Sequence, residues 1–186
     1  MPTEQQVNQL NDLFGLQEQN VLVVFAHGKE SGPWGSKIQR LAAAATACGA
    51  VVISIDYTDI PLPDARVEHL LTYQFPPHHK LVLVGSSMGG YVSIRAAASL
   101  HPTGLFLMAP AIGLQGYDVA APTTEAAMIT IVHGWADDVV PVLNVFDFAQ
   151  RHNVDLHVLD TTHDLQSRLD QIEILFTAML KKIYLL

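Results

Sequence analysis

The stretch that decides the fold is a serine-centred turn, which reads Leu83-Val84-Gly85-Ser86-Ser87-Met88-Gly89-Gly90-Tyr91. An apolar run precedes it and a helical pattern follows it. In the pattern G-x-S-x-G, such a strand-turn-helix elbow holds a serine at a strained bend and projects its hydroxyl beyond the sheet. Only Ser87 has glycines two residues before and two residues after it, and these let the strand and helix approach closely. Ser87 is therefore the candidate nucleophile, and a plain turn of small residues is the alternative.

Length and charge limit the classes of function. With 186 residues, the chain is expected to form one domain, residues 1–186, with a substantial core. A net charge of −8 without a Lys/Arg cluster argues against a nucleic-acid partner. No apolar run is long enough to cross a bilayer, and residues 1–20 lack the order of a secretion signal, so we expect a cytoplasmic protein with no membrane partner. Cys48 is the single cysteine, which excludes an internal disulfide.

Six short apolar runs alternate with helical patterns along the chain. They are rich in Val, Ile and Leu, as in parallel strands covered on both faces. The runs are Val21–Ala26, Val51–Ile55, Leu81–Val84, Leu105–Met108, Ile129–Val132 and Val154–Leu159. Six such units are too few for an eight-stranded barrel. The sequence therefore predicts an α/β fold with an open, doubly wound sheet of about six parallel strands and helices on both faces.

Helices are predicted between these strands from capping residues and prolines. Their predicted starts are Ser36, Asp64, Tyr91, Leu143 and Asp164. The spacing of Thr3-Glu4-Gln5-Gln6 is that of a capping box and predicts a short helix before the first strand. In such sheets the active site lies beyond the carboxyl ends of the strands, so residues with a chemical role should follow strands.

A serine nucleophile needs a base that accepts its proton, and histidine is the usual choice. Three of the nine histidines, His27, His133 and His163, follow predicted strands. His163 comes a few residues after the last strand, in a loop that can bring the imidazole over the sheet, so it is the candidate base. His27 and His133 each directly precede a glycine, and we expect structural or oxyanion-shaping roles for them.

The acid that orients the base should follow another strand and lie between the serine and the histidine in the chain. The segment after the fifth strand offers two adjacent candidates, Asp137 and Asp138. The resulting chain order of serine, aspartate and histidine differs from that of trypsin-like and subtilisin-like enzymes. Either aspartate can instead cap the following helix, so the residues alone leave the choice open.

The oxyanion of an acyl-transfer reaction needs two aimed backbone N–H groups. The candidates are Met88, directly after the nucleophile, and Lys29, in the loop after the first strand, where Gly28 allows an unusual backbone conformation. This loop lacks the spacing of the phosphate-binding glycine loops, which argues against a nucleotide. His78-His79 is poorly suited to hold one ion and no His-Glu-x-x-His pattern occurs, so we expect no metal and no organic cofactor.

Together these segments resemble the α/β-hydrolase superfamily over nearly the whole chain. The resemblance is carried by the elbow, by His27-Gly28, by His133-Gly134…Asp137…Val140-Pro141 and by His163. In the family pattern H-G-x-x-D-x-x-V-P the acid is the first aspartate, so the resemblance implies Asp137. Residues 27–33 are also similar to the H-G-x-E-S-G-P segment of small bacterial hydrolases of uncharacterised specificity.

The resemblance implies a minimal fold with strand order 2-1-3-4-5-6 and the elbow after strand 3. Residues 109–127 are too few for the large helical lid that many relatives carry between the fourth and fifth strands, so we expect a shallow, open pocket. The candidate pocket residues, for each of which core packing is the alternative, are His27, Gly28, Trp34, Pro110, Tyr117 and Trp135.

The resulting hypothesis is a carboxylesterase-type serine hydrolase acting on a small ester or thioester. Ser87, His163 and Asp137 would form the triad, and the reaction would pass through an acyl-enzyme. One alternative is amide or lactone hydrolysis, or acyl transfer, by the same residues. Another is a non-catalytic binding protein on this scaffold, because a fold does not imply an activity. The oligomeric state stays open, with a homodimer as one outcome.

Overall fold

One sheet of six parallel strands forms the centre of the computed structural model, which describes residues 20–115 and 126–186. The strands are β1 (Val21–Ala26), β2 (Val51–Ile55), β3 (Lys80–Ser86), β4 (Gly104–Met108), β5 (Met128–Gly134) and β6 (Asp155–Leu159). Their order is β2-β1-β3-β4-β5-β6, which confirms the predicted fold class and topology. The direction of winding reverses between β1 and β3, and open α/β sheets bind ligands at such a point.

Helices cover both faces of the sheet. They are α1 (Ser36–Ala47), α2 (Pro63–Thr72), α3 (Met88–Leu100), α4 (Val142–His152) and α5 (Leu169–Tyr184). One apolar cluster joins α2, α3 and α4 to the first face, and a second joins α1 and α5 to the opposite face. The sheet is therefore the middle of three layers.

Strand β1 shows why the sheet is buried on both sides. All of its residues are buried; Leu22 and Val24 face one cluster, whereas Val23 and Phe25 face the other. Burying one such side chain contributes about 1.5–3 kcal/mol, so a continuous apolar strand is stabilised from both faces. The edge strands differ: β2 and β6 are only partly buried, and β6 alternates polar residues such as Asp155 and His157 with apolar ones.

Three boundaries near the site differ from the predicted ones. Strand β5 runs to Gly134, because His133 and Gly134 pair with the end of β6. Helix α3 begins at Met88, not Tyr91, directly after the turn residue. Helix α5 begins at Leu169 after a short 3-10 turn, not at Asp164, because Leu165 adopts a left-handed conformation with φ of 59° that interrupts the helix.

Smaller differences concern helix caps. Gly35, not Ser36, is the N-cap of α1, and α2 begins one residue before Asp64, at Pro63. The predicted N-terminal helix at Thr3–Gln6 lies outside the described residues. No helix among residues 20–115 and 126–186 is both long and apolar enough to cross a membrane.

Candidate active site

Ser87 occupies a strained turn between β3 and α3. Its φ of 52° and ψ of −118° are unusual for a residue with a side chain, and such a conformation costs about 1–3 kcal/mol. Neighbouring backbone holds it in place: the Ser87 N–H donates to the Met108 carbonyl, and the Ala111 N–H donates to the Ser87 carbonyl, each at 2.9 Å. The loop after β4 thus fixes the turn that presents the Ser87 hydroxyl.

Three glycines make the turn sterically feasible. A Cβ on Gly85 would lie 2.6 Å from the Gly90 Cα, and one on Gly89 would overlap the Ala26 backbone. The third, Gly90, packs against Pro110, where a Cβ would come within 2.7 Å of the proline Cβ. Pro110, a predicted pocket residue, therefore packs against the elbow.

His163 reaches Ser87 from the loop between β6 and α5. Its Nε2 lies 3.0 Å from the Ser87 Oγ and its Nδ1 lies 2.8 Å from an Asp137 carboxylate oxygen. Because a carboxylate only accepts, Nδ1 carries the proton and Nε2 is left to accept from the serine hydroxyl. The loop is held by Asp164, whose carboxylate accepts from the Gln166 N–H and the Thr162 hydroxyl.

The structure brings Asp137, and not Asp138, to the base. The Asp137 side chain is fully buried, whereas Asp138 is exposed. One Asp137 oxygen accepts from the Val139 and Val140 N–H groups at 2.9 and 2.8 Å. The other oxygen faces His163, so backbone bonds orient the carboxylate toward the imidazole.

A second histidine faces the same carboxylate oxygen. The His133 Nε2 lies 3.3 Å from the Asp137 Oδ2 and donates to the Val140 carbonyl at 3.0 Å. Burial lowers the pKa of His133, although the Val140 carbonyl and the Asp137 charge oppose this effect. His133 therefore acts as a neutral hydrogen-bond donor beside Asp137.

The loop after β1 passes directly beside Ser87. A Cβ built on Gly28 would lie 3.5 Å from the Ser87 Cβ, so this backbone is close to the place where a substrate carbonyl would sit. Lys29 follows on the same loop and lines the cleft. Met88 begins α3, where the first N–H groups have no partner within the helix. Both predicted oxyanion donors thus flank the serine.

His27 stands behind this loop. It is fully buried, accepts from the Tyr57 N–H at Nε2 (2.9 Å), and donates from Nδ1 to the Gly28 carbonyl (2.7 Å). Burial lowers its pKa, and the Arg66 charge acts in the same direction. Arg66 is itself buried and donates to the carbonyls of His27, Gly28, Tyr57 and Ile60.

A cleft of about 420 Å³ opens beside Ser87 and His163. Of the predicted pocket residues that the structure describes, only Gly28 lines it. The prediction for His27, Trp34, Pro110 and Trp135 is corrected: His27 is fully buried, Pro110 lies under the elbow, and neither tryptophan lines the cleft. Trp135 borders a separate groove next to α4 and β6. Tyr117 lies outside the described residues.

The cleft is lined by other residues that the sequence did not single out. Leu114 and Val139, from the loops after β4 and β5, supply apolar surface, and Lys37 supplies a cationic group from the first turn of α1. Burial lowers the pKa of Lys37, whereas the negative charges of Asp164 and Asp137 raise it.

Two further observations concern other places for a ligand. A larger cavity, about 750 Å³, lies at the opposite end of the sheet, near the residues that precede β4, β5 and β6, and contains none of the predicted site residues. Within the described ranges, no group of three or more His, Cys, Asp or Glu side chains is arranged to hold a metal ion.

Comparison with known proteins agrees with the fold. No family model and no curated protein matches the chain. Among solved structures, a proposed hydrolase of the alpha/beta superfamily from Xanthomonas campestris pv. campestris is similar at 28% identity. Its TM-score is 0.75, and the match covers 88% of this chain and 99% of that one.

Two more distant structures share the fold. A serine hydrolase without a lid, from Xanthomonas campestris, is 23% identical, with a TM-score of 0.66 and coverage of 88% of this chain and 82% of that one. Est1E from Butyrivibrio proteoclasticus is 17% identical, with a TM-score of 0.70 and coverage of 89% of both chains. The strand order, the elbow at Ser87 and the near-complete coverage of the first of these structures lead to one conclusion: this chain belongs to the α/β-hydrolase superfamily.

Proposed function

We propose that the chain is a serine hydrolase that cleaves a small ester or thioester through an acyl-enzyme. The observation that carries this proposal is the continuous hydrogen-bonded relay from Ser87 Oγ through His163 to Asp137, with distances of 3.0 and 2.8 Å. The 3.0 Å distance between Ser87 and His163 is within the range that proton transfer requires, and the 2.8 Å distance between His163 and Asp137 is that of a charge-assisted hydrogen bond. A binding protein would have no need of a nucleophile, a base and an acid in this arrangement.

The first half of the reaction acylates the serine. The Ser87 Oγ attacks the substrate carbonyl carbon while His163 Nε2 accepts the hydroxyl proton, and Asp137 stabilises the resulting imidazolium. The Met88 and Lys29 N–H groups would stabilise the oxyanion of the tetrahedral intermediate. When this intermediate collapses, the bond to the leaving oxygen or sulfur breaks, and His163 returns its proton to that atom.

The second half regenerates the enzyme. Water attacks the acyl carbon while His163 again accepts a proton, and collapse of the second tetrahedral intermediate returns that proton to the Ser87 Oγ. The products are a carboxylic acid and an alcohol or thiol. The cleft geometry supports this mechanism because Gly28, Ser87 and His163 border the same space.

Labelling with a fluorophosphonate probe, combined with a p-nitrophenyl ester series, tests the proposal. We expect the wild-type protein to be labelled and to release p-nitrophenol, and Ser87→Ala to lose labelling and at least about 10³-fold in turnover, because no other group supplies the nucleophile. Ser99→Ala is the matched control, since Ser99 is exposed on α3. Full labelling of Ser87→Ala would contradict the assignment of the nucleophile.

A further inference from the structure

Lys37 is less exposed than the other Lys, Asp and Glu side chains that line the cleft. Lys29, Glu30 and Asp164 are exposed at its rim, whereas Lys37 is partly buried. It lies in the first turn of α1, which contains no acidic residue, so the positive end of the helix adds to its potential. Lys37 therefore borders the same cleft as Ser87 and His163.

Within residues 20–115 and 126–186, no carboxylate lies within ion-pair distance of the Lys37 ammonium group. Across residues 20–115 and 126–186, the ion pairs within 4 Å are formed by Arg40, Arg168 and three histidines, and Lys37 is in none of them. Asp164 and Asp137 raise the pKa of Lys37 through their charge and not through a hydrogen bond. Asp137 already accepts hydrogen bonds from His163 and from two backbone N–H groups, so its carboxylate oxygens have partners other than Lys37.

A partly buried charge without a close partner is unfavourable in the free protein, and it becomes favourable when a ligand supplies the opposite charge. The cleft also suits the uncharged part of such a ligand, because Leu114 and Val139 offer apolar contacts. A volume of about 420 Å³ is within the range of small-molecule sites.

We propose that Lys37 binds a carboxylate on the substrate, so that the preferred substrates are esters or thioesters that carry a free carboxylate group. This inference rests on the proposed hydrolase function and adds the substrate class. The ammonium group would hold the carboxylate while Ser87 attacks the ester carbonyl, and the apolar side chains would contact the carbon chain between the two groups.

Two pairs of substrates test this inference. The first is mono-p-nitrophenyl adipate against its methyl ester, which differ only in the charge at the far end of the acyl chain. The second is 4-acetoxybenzoate against its methyl ester, in which the charge lies on the leaving group. We expect wild type to prefer the charged member of one pair by about 10-fold in kcat/KM, as for a charge-assisted hydrogen bond, and we expect Lys37→Met to lose this preference.

Control variants separate recognition from other effects. Lys37→Arg should keep most of the preference, and Lys182→Met, which removes an exposed charge in the last turn of α5, should keep all of it. If Lys37→Met lowers kcat/KM equally for charged and neutral esters, the proposal is wrong, because Lys37 then acts on the triad and not on the substrate.

A binding measurement makes the result independent of turnover. Titration of adipate into the Ser87→Ala protein, followed by calorimetry, should give a dissociation constant about 10-fold lower than in the Ser87→Ala, Lys37→Met double variant. Equal constants would overturn the role of Lys37 even when the enzyme is active. Failure to cleave any of the four esters, with the difference in adipate binding intact, would count against the hydrolase proposal alone.

Discussion

The same dipeptide, His-Gly, occurs at the carboxyl ends of β1 and β5, and the two copies perform different tasks. His27 and His133 are both fully buried, and burial lowers the pKa of each. Their hydrogen bonds use opposite nitrogens: His27 donates from Nδ1 and accepts at Nε2, whereas His133 donates from Nε2. A shared sequence motif therefore does not determine the tautomer.

The difference arises from the partners that each loop meets. The β1 loop is held by a buried cation, because Arg66 donates to the His27 and Gly28 carbonyls. The β5 loop is organised by a buried anion, because Asp137 accepts from the backbone after it and from His163. The first loop orders backbone beside Ser87, the proposed nucleophile, and the second orders the Asp137 side chain that contacts His163, the proposed base.

The largest expected effect distinguishes Asp137, the buried anion of the β5 loop, from the adjacent Asp138. In Asp137→Asn, the amide can donate to His163 and favour the wrong tautomer, so we expect kcat for p-nitrophenyl esters to fall by about 10³–10⁴-fold. Asp138→Asn should stay within about 2-fold, because Asp138 is exposed. Comparable losses in the two variants would show that the geometry at Asp137 has no special role.

Gly28 and Gly134, the glycines of the two His-Gly dipeptides, should respond differently to substitution by alanine. A Cβ on Gly134 would lie 2.7 Å from the Thr162 carbonyl oxygen and 3.0 Å from the Thr161 carbonyl carbon, whereas one on Gly28 would come no closer than 3.5 Å to any atom. We expect Gly134→Ala to lower the free energy of unfolding by about 3 kcal/mol and Gly28→Ala to change it by less than about 1 kcal/mol. Urea denaturation measures both, and similar losses would contradict this contrast.

The smallest expected effect is the dependence of stability on pH, to which the histidines of both His-Gly dipeptides contribute. A histidine whose pKa is lowered in the folded state binds fewer protons there than in the unfolded chain, so stability rises with pH across that window. His27 and His133 should contribute fully above about pH 6.5 and lose that contribution as the pH falls below it, by about 1.4 kcal/mol for each unit of pKa difference.

Urea denaturation between pH 7.5 and 5.5 checks this expectation. The slope of unfolding free energy against pH should be flatter in the double variant His27→Gln, His133→Gln than in the wild-type protein. His79→Gln, which alters an exposed imidazole, should keep the wild-type slope. An unchanged slope in the double variant would mean that neither buried histidine contributes.

The sequence was sufficient to predict the sheet and to identify the three residues that the structure brings together. Buried parallel strands are recognisable as continuous apolar runs, and Ser87, Asp137 and His163 each follow one of them. The choice of Asp137 came from a family pattern, since nothing in the two adjacent aspartates themselves separates them. The structural reason is the pair of backbone N–H bonds that turn its carboxylate inward.

The remaining features depend on contacts between segments distant in sequence. Arg66 reaches carbonyls up to 39 positions away, and no local pattern marks it as buried. The start of α5 was wrong because the buried side chain of Leu165 holds a left-handed backbone that local propensity does not predict. The prediction that Trp34 and Trp135 line the cleft was wrong because the size of a side chain does not reveal which surface it borders.

The place of β6 at the edge of the sheet affects how the protein would lose activity. His163 lies just beyond β6, 76 positions from Ser87, whereas the strained turn belongs to the interior strands. Local opening of a protein begins where fewest neighbours hold the chain. Detachment of the outer strand and its following loop would therefore remove His163, the proposed proton acceptor, while the serine turn stayed folded, and the proposed activity would be lost before the core melts.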